Sequence, residues 1–126
     1  MIQKRASNWL LYLVYGGLIS AGISAVHAAG ALAVGKCGAF GSSWNYKSQV
    51  LAQGAALTRC PDTSCQVYLT VVTSCVALAY DTNNCAWGAN TGLTLQQAVA
   101  AAIAACQQHG GTNCVIRTSF CDTSGE

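Results

Sequence analysis

Residues 60–65 read CPDTSC, and residues 106–114 read CQQHGGTNC. Each stretch follows an alanine-rich run and leads into a run rich in β-formers. Two cysteines set around a turn suit a metal knuckle, a redox centre or a covalent staple. That the arrangement occurs twice organises the rest of the chain. Aligning Cys60 with Cys106 places Ser48 on Thr94, Ala52 on Ala98, Ala55 on Ala101 and Ala56 on Ala102. A shift of one residue upstream puts Phe40-Gly41 on Trp87-Gly88. Downstream, Cys65 is matched to Cys114 and Cys75 to Cys121, with Cys37 and Cys85 as a looser fourth pair.

Each copy reads as strand, helix, strand. Thr94 with Gln97 forms a capping box that opens a helix running to about Gln108, and His109-Gly110-Gly111 stops it. In the first copy Ser48 is the cap, and Pro61 ends the helix after Cys60. Ala52, Ala55 and Ala56, and Ala98, Ala101, Ala102 and Ala105, form inner faces small enough for each helix to lie close on a sheet. Strands are expected at Lys36–Ser42, Cys65–Val72, Cys75–Tyr80, Cys85–Ala89 and Cys114–Cys121. Val67, Leu69 and Val71 are expected on one face. Asp81-Thr82-Asn83-Asn84 is a turn by composition, and Asp62 and Asp81 read as turn formers. The expected class is α+β: a duplicated β-α-β unit whose two helices pack on one face of a largely antiparallel sheet, stapled by disulfides.

Composition sets the compartment. Lys4 and Arg5 precede a charge-free apolar run from Trp9 to Val26, followed by Val26-His27-Ala28. This is the layout of a secretory signal peptide over 1–28, cut after Ala28, leaving one small cysteine-rich domain over 29–126. The alternative is an uncleaved N-terminal helix that serves as a membrane anchor. The four cations of the mature domain, Lys36, Lys47, Arg59 and Arg117, balance Asp62, Asp81, Asp122 and Glu126. The chain's net charge of +2 therefore comes from the leader. A neutral domain offers no footprint for nucleic acid, and a membrane contact is expected only if the leader is retained. All eight cysteines lie in the mature domain. That density, behind an export signal, reads as disulfides in an oxidising periplasmic or secreted setting.

The chemistry of the cysteines narrows further. Structural zinc sites bring cysteines two to four residues apart in sets of four, and these spacings do not. Cys60 and Cys106 stand at helix C-terminal ends, where the dipole disfavours the thiolate that redox catalysis needs. No metal and no cofactor are expected. Staples remain: the repeat suggests Cys60–Cys65 and Cys106–Cys114, and its symmetry suggests Cys75–Cys121 and Cys37–Cys85. By chain entropy, closing the shortest ring is worth roughly 2 kcal/mol and the long Cys75–Cys121 loop roughly 4. The long pairs are expected to tie the two copies together. Phe40 and Trp87, at matched positions, read as core. No catalytic constellation is present: His109 is the mature domain's one histidine. Trp44, whose counterpart is Asn90, and Tyr46 are the candidate binding residues, in a loop before the first helix.

The aromatic-Gly step, the alanine helix ending in cysteine, Cys75-Val-Ala-Leu-Ala79, Cys85-Ala-Trp-Gly88 and Gly110-Gly-Thr-Asn-Cys114 resemble the bacterial exported family filed as domain of unknown function 4189. The resemblance runs over residues 31–122. It implies a small exported α+β domain with paired cysteines and no assigned catalytic residues. Cys37 and Cys85 stand in addition to the six cysteines that the resemblance implies. The function expected is therefore non-enzymatic binding of a protein partner, such as an inhibitor or immunity role or a host-directed factor. A structural envelope-associated protein held by its N-terminal helix is the alternative.

Overall fold

The computed structural model describes residues 28–122. Apart from Ala28, the signal peptide expected over 1–28 lies outside the described residues. The element order is β1 (Ala29–Val34), a 3-10 turn (Lys36–Gly38), β2 (Phe40–Tyr46), α1 (Gln49–Arg59), β3 (Gln66–Val72), β4 (Cys75–Asp81), β5 (Trp87–Gly92), α2 (Leu95–Gln108) and β6 (Cys114–Cys121). The class is α+β, and all strand pairing is antiparallel. The strands form two sheets rather than one, in the orders β2-β1-β3 and β5-β4-β6. Each half of the chain is thus a β-β-α-β unit, not β-α-β, and the two halves share one topology.

The strand missing from the sequence reading is β1. Its residues Ala29-Gly-Ala-Leu-Ala-Val34 correspond to Cys75-Val-Ala-Leu-Ala-Tyr80 of β4. Both are central strands and alternate strictly. On β1, Ala29, Ala31 and Ala33 face α1, where they meet Ala52 and Ala56. On β4, Cys75, Ala77 and Ala79 face α2, where they meet Ala98, Ala102 and Cys106. The opposite faces, with Leu32, Val34 and Val71 on one sheet and Val76, Leu78, Ala89 and Phe120 on the other, form one shared core. The layers therefore run helix, sheet, sheet, helix. The helices lie on opposite outer faces, because each central strand carries alanine outward and its larger side chains inward.

Gly41 and Gly88 show why an aromatic-Gly step occurs twice. The aromatic residue, Phe40 or Trp87, packs against the shared core. The glycine points outward beneath the end of a helix. A Cβ on Gly41 would collide with the carbonyl oxygen of Ala56 and the amide of Cys60, and one on Gly88 with the backbone of Ala105 and Cys106. The helices are capped as their sequences dictate. Ser48 Oγ accepts the Leu51 amide at 3.1 Å, and Thr94 Oγ1 accepts the Gln97 amide at 3.1 Å. Gln97 returns the bond one residue further out, accepting the Leu93 amide at 3.0 Å.

Bulges change which way side chains point. Leu32 pairs with Leu69, but the next residue, Ala33, pairs with Val67, so Tyr68 is an extra residue on β3. Val67 therefore lies on the helix side while Leu69 and Val71 face the core, and the expected single face is broken. The second sheet repeats this bulge: Leu78 pairs with Thr118 and Ala79 with Ile116, leaving Arg117 extra on β6. Tyr68 of the first half meets the Trp87 ring of the second edge-on at 5.0 Å. Reciprocally, Arg117 of the second half lies 5.6 Å from the Phe40 ring centroid of the first.

The buried layers are thin, so single atoms matter. Leu32 and Leu78 are fully buried at matched positions. Truncating either to Ala is expected to cost roughly 2–5 kcal/mol, measured by denaturant unfolding. Gly88→Ala is expected to cost roughly 1–3 kcal/mol through overpacking. Gly54, exposed on α1 with open space around it, gives the opposite sign: Gly54→Ala is expected to stabilise by about 0.5–1 kcal/mol.

Candidate functional site

The cysteines bond in four pairs: Cys37–Cys85, Cys60–Cys65, Cys75–Cys121 and Cys106–Cys114. The two short bridges join each helix end to the following strand. Cys75 and Cys121 face each other directly across β4 and β6. The first-half pair at that place is Ala29 opposite Val72. Cys75 and Cys121 are therefore not matched members of the two copies: they are partners within the second. Only Cys37–Cys85 bonds one half to the other, and it does so at matched points, the links β1–β2 and β4–β5.

The two cysteine-flanked turns, residues 60–65 and 106–114, are held differently. In CPDTSC the bonds are local: the Ser64 amide donates to Asp62 Oδ1 at 3.2 Å and the Cys65 amide to the Asp62 carbonyl at 3.2 Å. The hydrogen bonds from Ser64, with the Lys36 charge behind them, hold the Asp62 carboxyl below its ordinary range. In CQQHGGTNC the organiser is distant. Asp81, buried at the end of β4, accepts the Thr112 amide at 2.7 Å and the Asn113 amide at 2.9 Å on Oδ2. Its Oδ1 accepts the Asn83 amide at 2.7 Å. Asp81 is thus a buried clasp between two turns as well as a turn former. The amide bonds, that from Asn113 foremost, lower its pKa.

Trp44 and Tyr46 lie on β2, not in a loop, and the structure does not bring them together. Ala31 pairs with Ser43 and Ala29 with Tyr46, so β2 carries one extra residue between them. Asn45 takes φ 65° there, and its amide donates to Asp122 Oδ1 at 2.9 Å. The bulge is the physical form of the one-residue shift in the alignment, and Ser43 rather than Trp44 is the structural counterpart of Asn90. Trp44 stacks on Phe120 at 5.3 Å and is 45% exposed. Tyr46 faces the alanine layer beneath α1, and its hydroxyl accepts a bond from Arg59 Nη2 at 3.0 Å.

A concave surface lies elsewhere, at the opposite end of the strands. An open groove of about 450 Å³ is lined by Lys36, Ser64, Gln66, Val67, Tyr68 and Trp87, with Val34 and Gly35 at its floor. Tyr68 is 48% exposed and forms one wall with the half-buried Trp87. The Lys36 amide donates to Ser64 Oγ at 2.9 Å, which fixes the rim. Trp87 therefore serves both core and surface. The one sequence signal for this groove is that the copies differ there, Tyr68 standing where the second half has Arg117. Among the described residues no three His, Cys, Asp or Glu side chains are grouped as a metal site requires, and no helix is long and apolar enough to cross a membrane.

A doubled β-β-α-β framework, four disulfides and an open aromatic groove define a small stapled α+β domain, of the kind an oxidising compartment outside the cytoplasm permits. The chain belongs to the family described as Domain of unknown function (DUF4189), whose model matches residues 29–121. No curated protein and no solved structure matches it.

Acid should loosen the Asp81 clasp. The folded carboxyl holds its proton less tightly than the unfolded one, so its contribution is complete above about pH 4 and fades as the pH falls through the folded value. Asp81→Asn is expected to lower Tm at pH 7 and to flatten the acid limb of a Tm–pH curve below about pH 4.

Proposed function

We propose that this is an exported, non-enzymatic domain that binds a protein partner through the groove between its halves. The observation that carries this reading is that the groove shares Gln66, Val67 and Tyr68 with β3, an edge strand. From Gln66 to Val72 the strand contains no charge and no proline. An edge of this kind offers its outward amides and carbonyls to an added strand. The neighbouring groove offers an aromatic wall to that strand's side chains.

The polar groups suited to acid–base chemistry are engaged in structure. Asp81 and Asp122 are buried and accept backbone amides. His109 shares a 2.9 Å bond between Nδ1 and the Trp87 carbonyl, which requires the proton on Nδ1. These engagements support a binding role over a catalytic one. Export rests on the leader read from sequence and on the four disulfides.

Two measurements test the proposal. The exported protein is expected to begin at Ala29 and to weigh eight hydrogens less than its reduced form, by intact mass. In affinity capture from the native compartment, Tyr68→Ser is expected to abolish retention of a partner that the wild-type domain holds, with Tm changed little. A partner retained by Tyr68→Ser and lost by Trp44→Ser would move the binding surface to the opposite end of the domain and reject the groove.

A further inference from the structure

We propose that Cys37–Cys85 is a thiol–disulfide exchange site, the one bridge of the four that an external dithiol reduces while the domain stays folded. Three observations lead there. Both of its cysteines are exposed, whereas Cys75 and Cys106 are buried and the remaining four are half-buried. Both take a left-handed backbone, φ 56° at Cys37 and 47° at Cys85, a region that costs residues with a Cβ. No other described cysteine has a positive φ. Opening the bridge allows both turns to relax, and strained, exposed disulfides are the labile ones.

The third observation is where the bridge sits. Lys36 precedes Cys37 and is the nearest charge in sequence to either cysteine, with the Asp62 carboxylate also acting on its ammonium. A cation beside a sulfur stabilises the departing thiolate. The exchange therefore runs in a set direction. A thiolate of the dithiol attacks Sγ of Cys85, the Cys37–Cys85 bond breaks, and Cys37 leaves as the thiolate with the electron pair. The dithiol's second thiolate then attacks its own sulfur in the mixed disulfide, and Cys85 leaves. The dithiol is oxidised to a disulfide, the bridge is reduced by two electrons, and the dithiol's two protons pass to the two cysteines.

The bridge is also the one disulfide between the halves, and its flanks line the groove: Lys36 beside Cys37, and Trp87 two residues beyond Cys85. The other three bridges lie within a half, and the shared core is independent of all four. Reduction at this site alone thus removes the one covalent link between the halves, beside the groove, while each half keeps its own staples and the shared core.

The test is timed reduction of the full oxidised protein with dithiothreitol, quenched by alkylation and mapped by mass spectrometry. Cys37 and Cys85 are expected to be labelled first, about tenfold faster than any other pair, with the far-ultraviolet circular dichroism unchanged. Earlier opening of another bridge, or labelling of all eight cysteines together, would overturn the proposal. In the double variant Cys37→Ala, Cys85→Ala the fast phase is expected to vanish, and a fast phase that persists would equally overturn it. With glutathione as a monothiol, the trapped adduct is expected on Cys85. An adduct confined to Cys37 would overturn the assigned direction. The wild-type order of opening decides the matter even if the double variant fails to fold.

Discussion

Each helix lies on its sheet over a layer whose buried residues are alanine, glycine and cysteine. That close approach determines most other features of the domain. It requires alanine at every outward position of β1 and at Ala77 and Ala79 of β4, and glycine where a strand passes under a helix end, at Gly41 and Gly88. Alanine buries little area, so the outer layers supply little hydrophobic stabilisation per residue. The fully buried large apolar side chains, Leu32, Val76 and Leu78, lie in the layer between the sheets, with Phe120 beside them. A small core of this kind leaves covalent bonds to hold the edges, and the short bridges stand where each helix hands over to its last strand.

Much of this was legible in the residues. Ser48 and Thr94 announce their helices because a cap acts through bonds within one turn. The paired turns exposed the repeat. β1 was not legible, because Ala29-Gly-Ala-Leu-Ala-Val34 is mostly alanine and glycine, poor strand formers, and its apolar run continues that of Trp9–Val26 with no turn signal to set it apart. Once that strand is missed, the matching of Ala31-Leu-Ala-Val34 with Ala77-Leu-Ala-Tyr80 is missed with it. Cys75 is then compared with Cys121, its bonded partner, and the sheet count falls to one.

The candidate site was less legible than the fold. Trp44 and Tyr46 stand two apart on one strand and would share a face on a regular one, but the bulge at Asn45 turns them to opposite sides. Tyr68 carries its signal only in the difference from Arg117, each three residues after the matched Cys65 and Cys114, and nothing local marks that difference as the wall of a groove. Asp81 and Asp122 look like ordinary turn carboxylates, because nothing local says that distant amides will close over them. Burial of a polar group is decided by tertiary structure, and sequence periodicity carries no trace of it.

The placement of the ends of the described segment, Ala28 and Asp122, gives the domain a direction. Ala29, Val72, Cys75 and Cys121 are paired at one end of the two sheets, and the Asp122 amide closes that end by donating to the Ser74 carbonyl at 2.8 Å. The groove and the Cys37–Cys85 bridge stand at the other end, where β1 runs out and β3 and β5 begin. Whatever chain leads into Ala28 or away from Asp122 joins the domain at its base. A tether at either point meets the domain at the end away from the groove, as a stalk meets a cup.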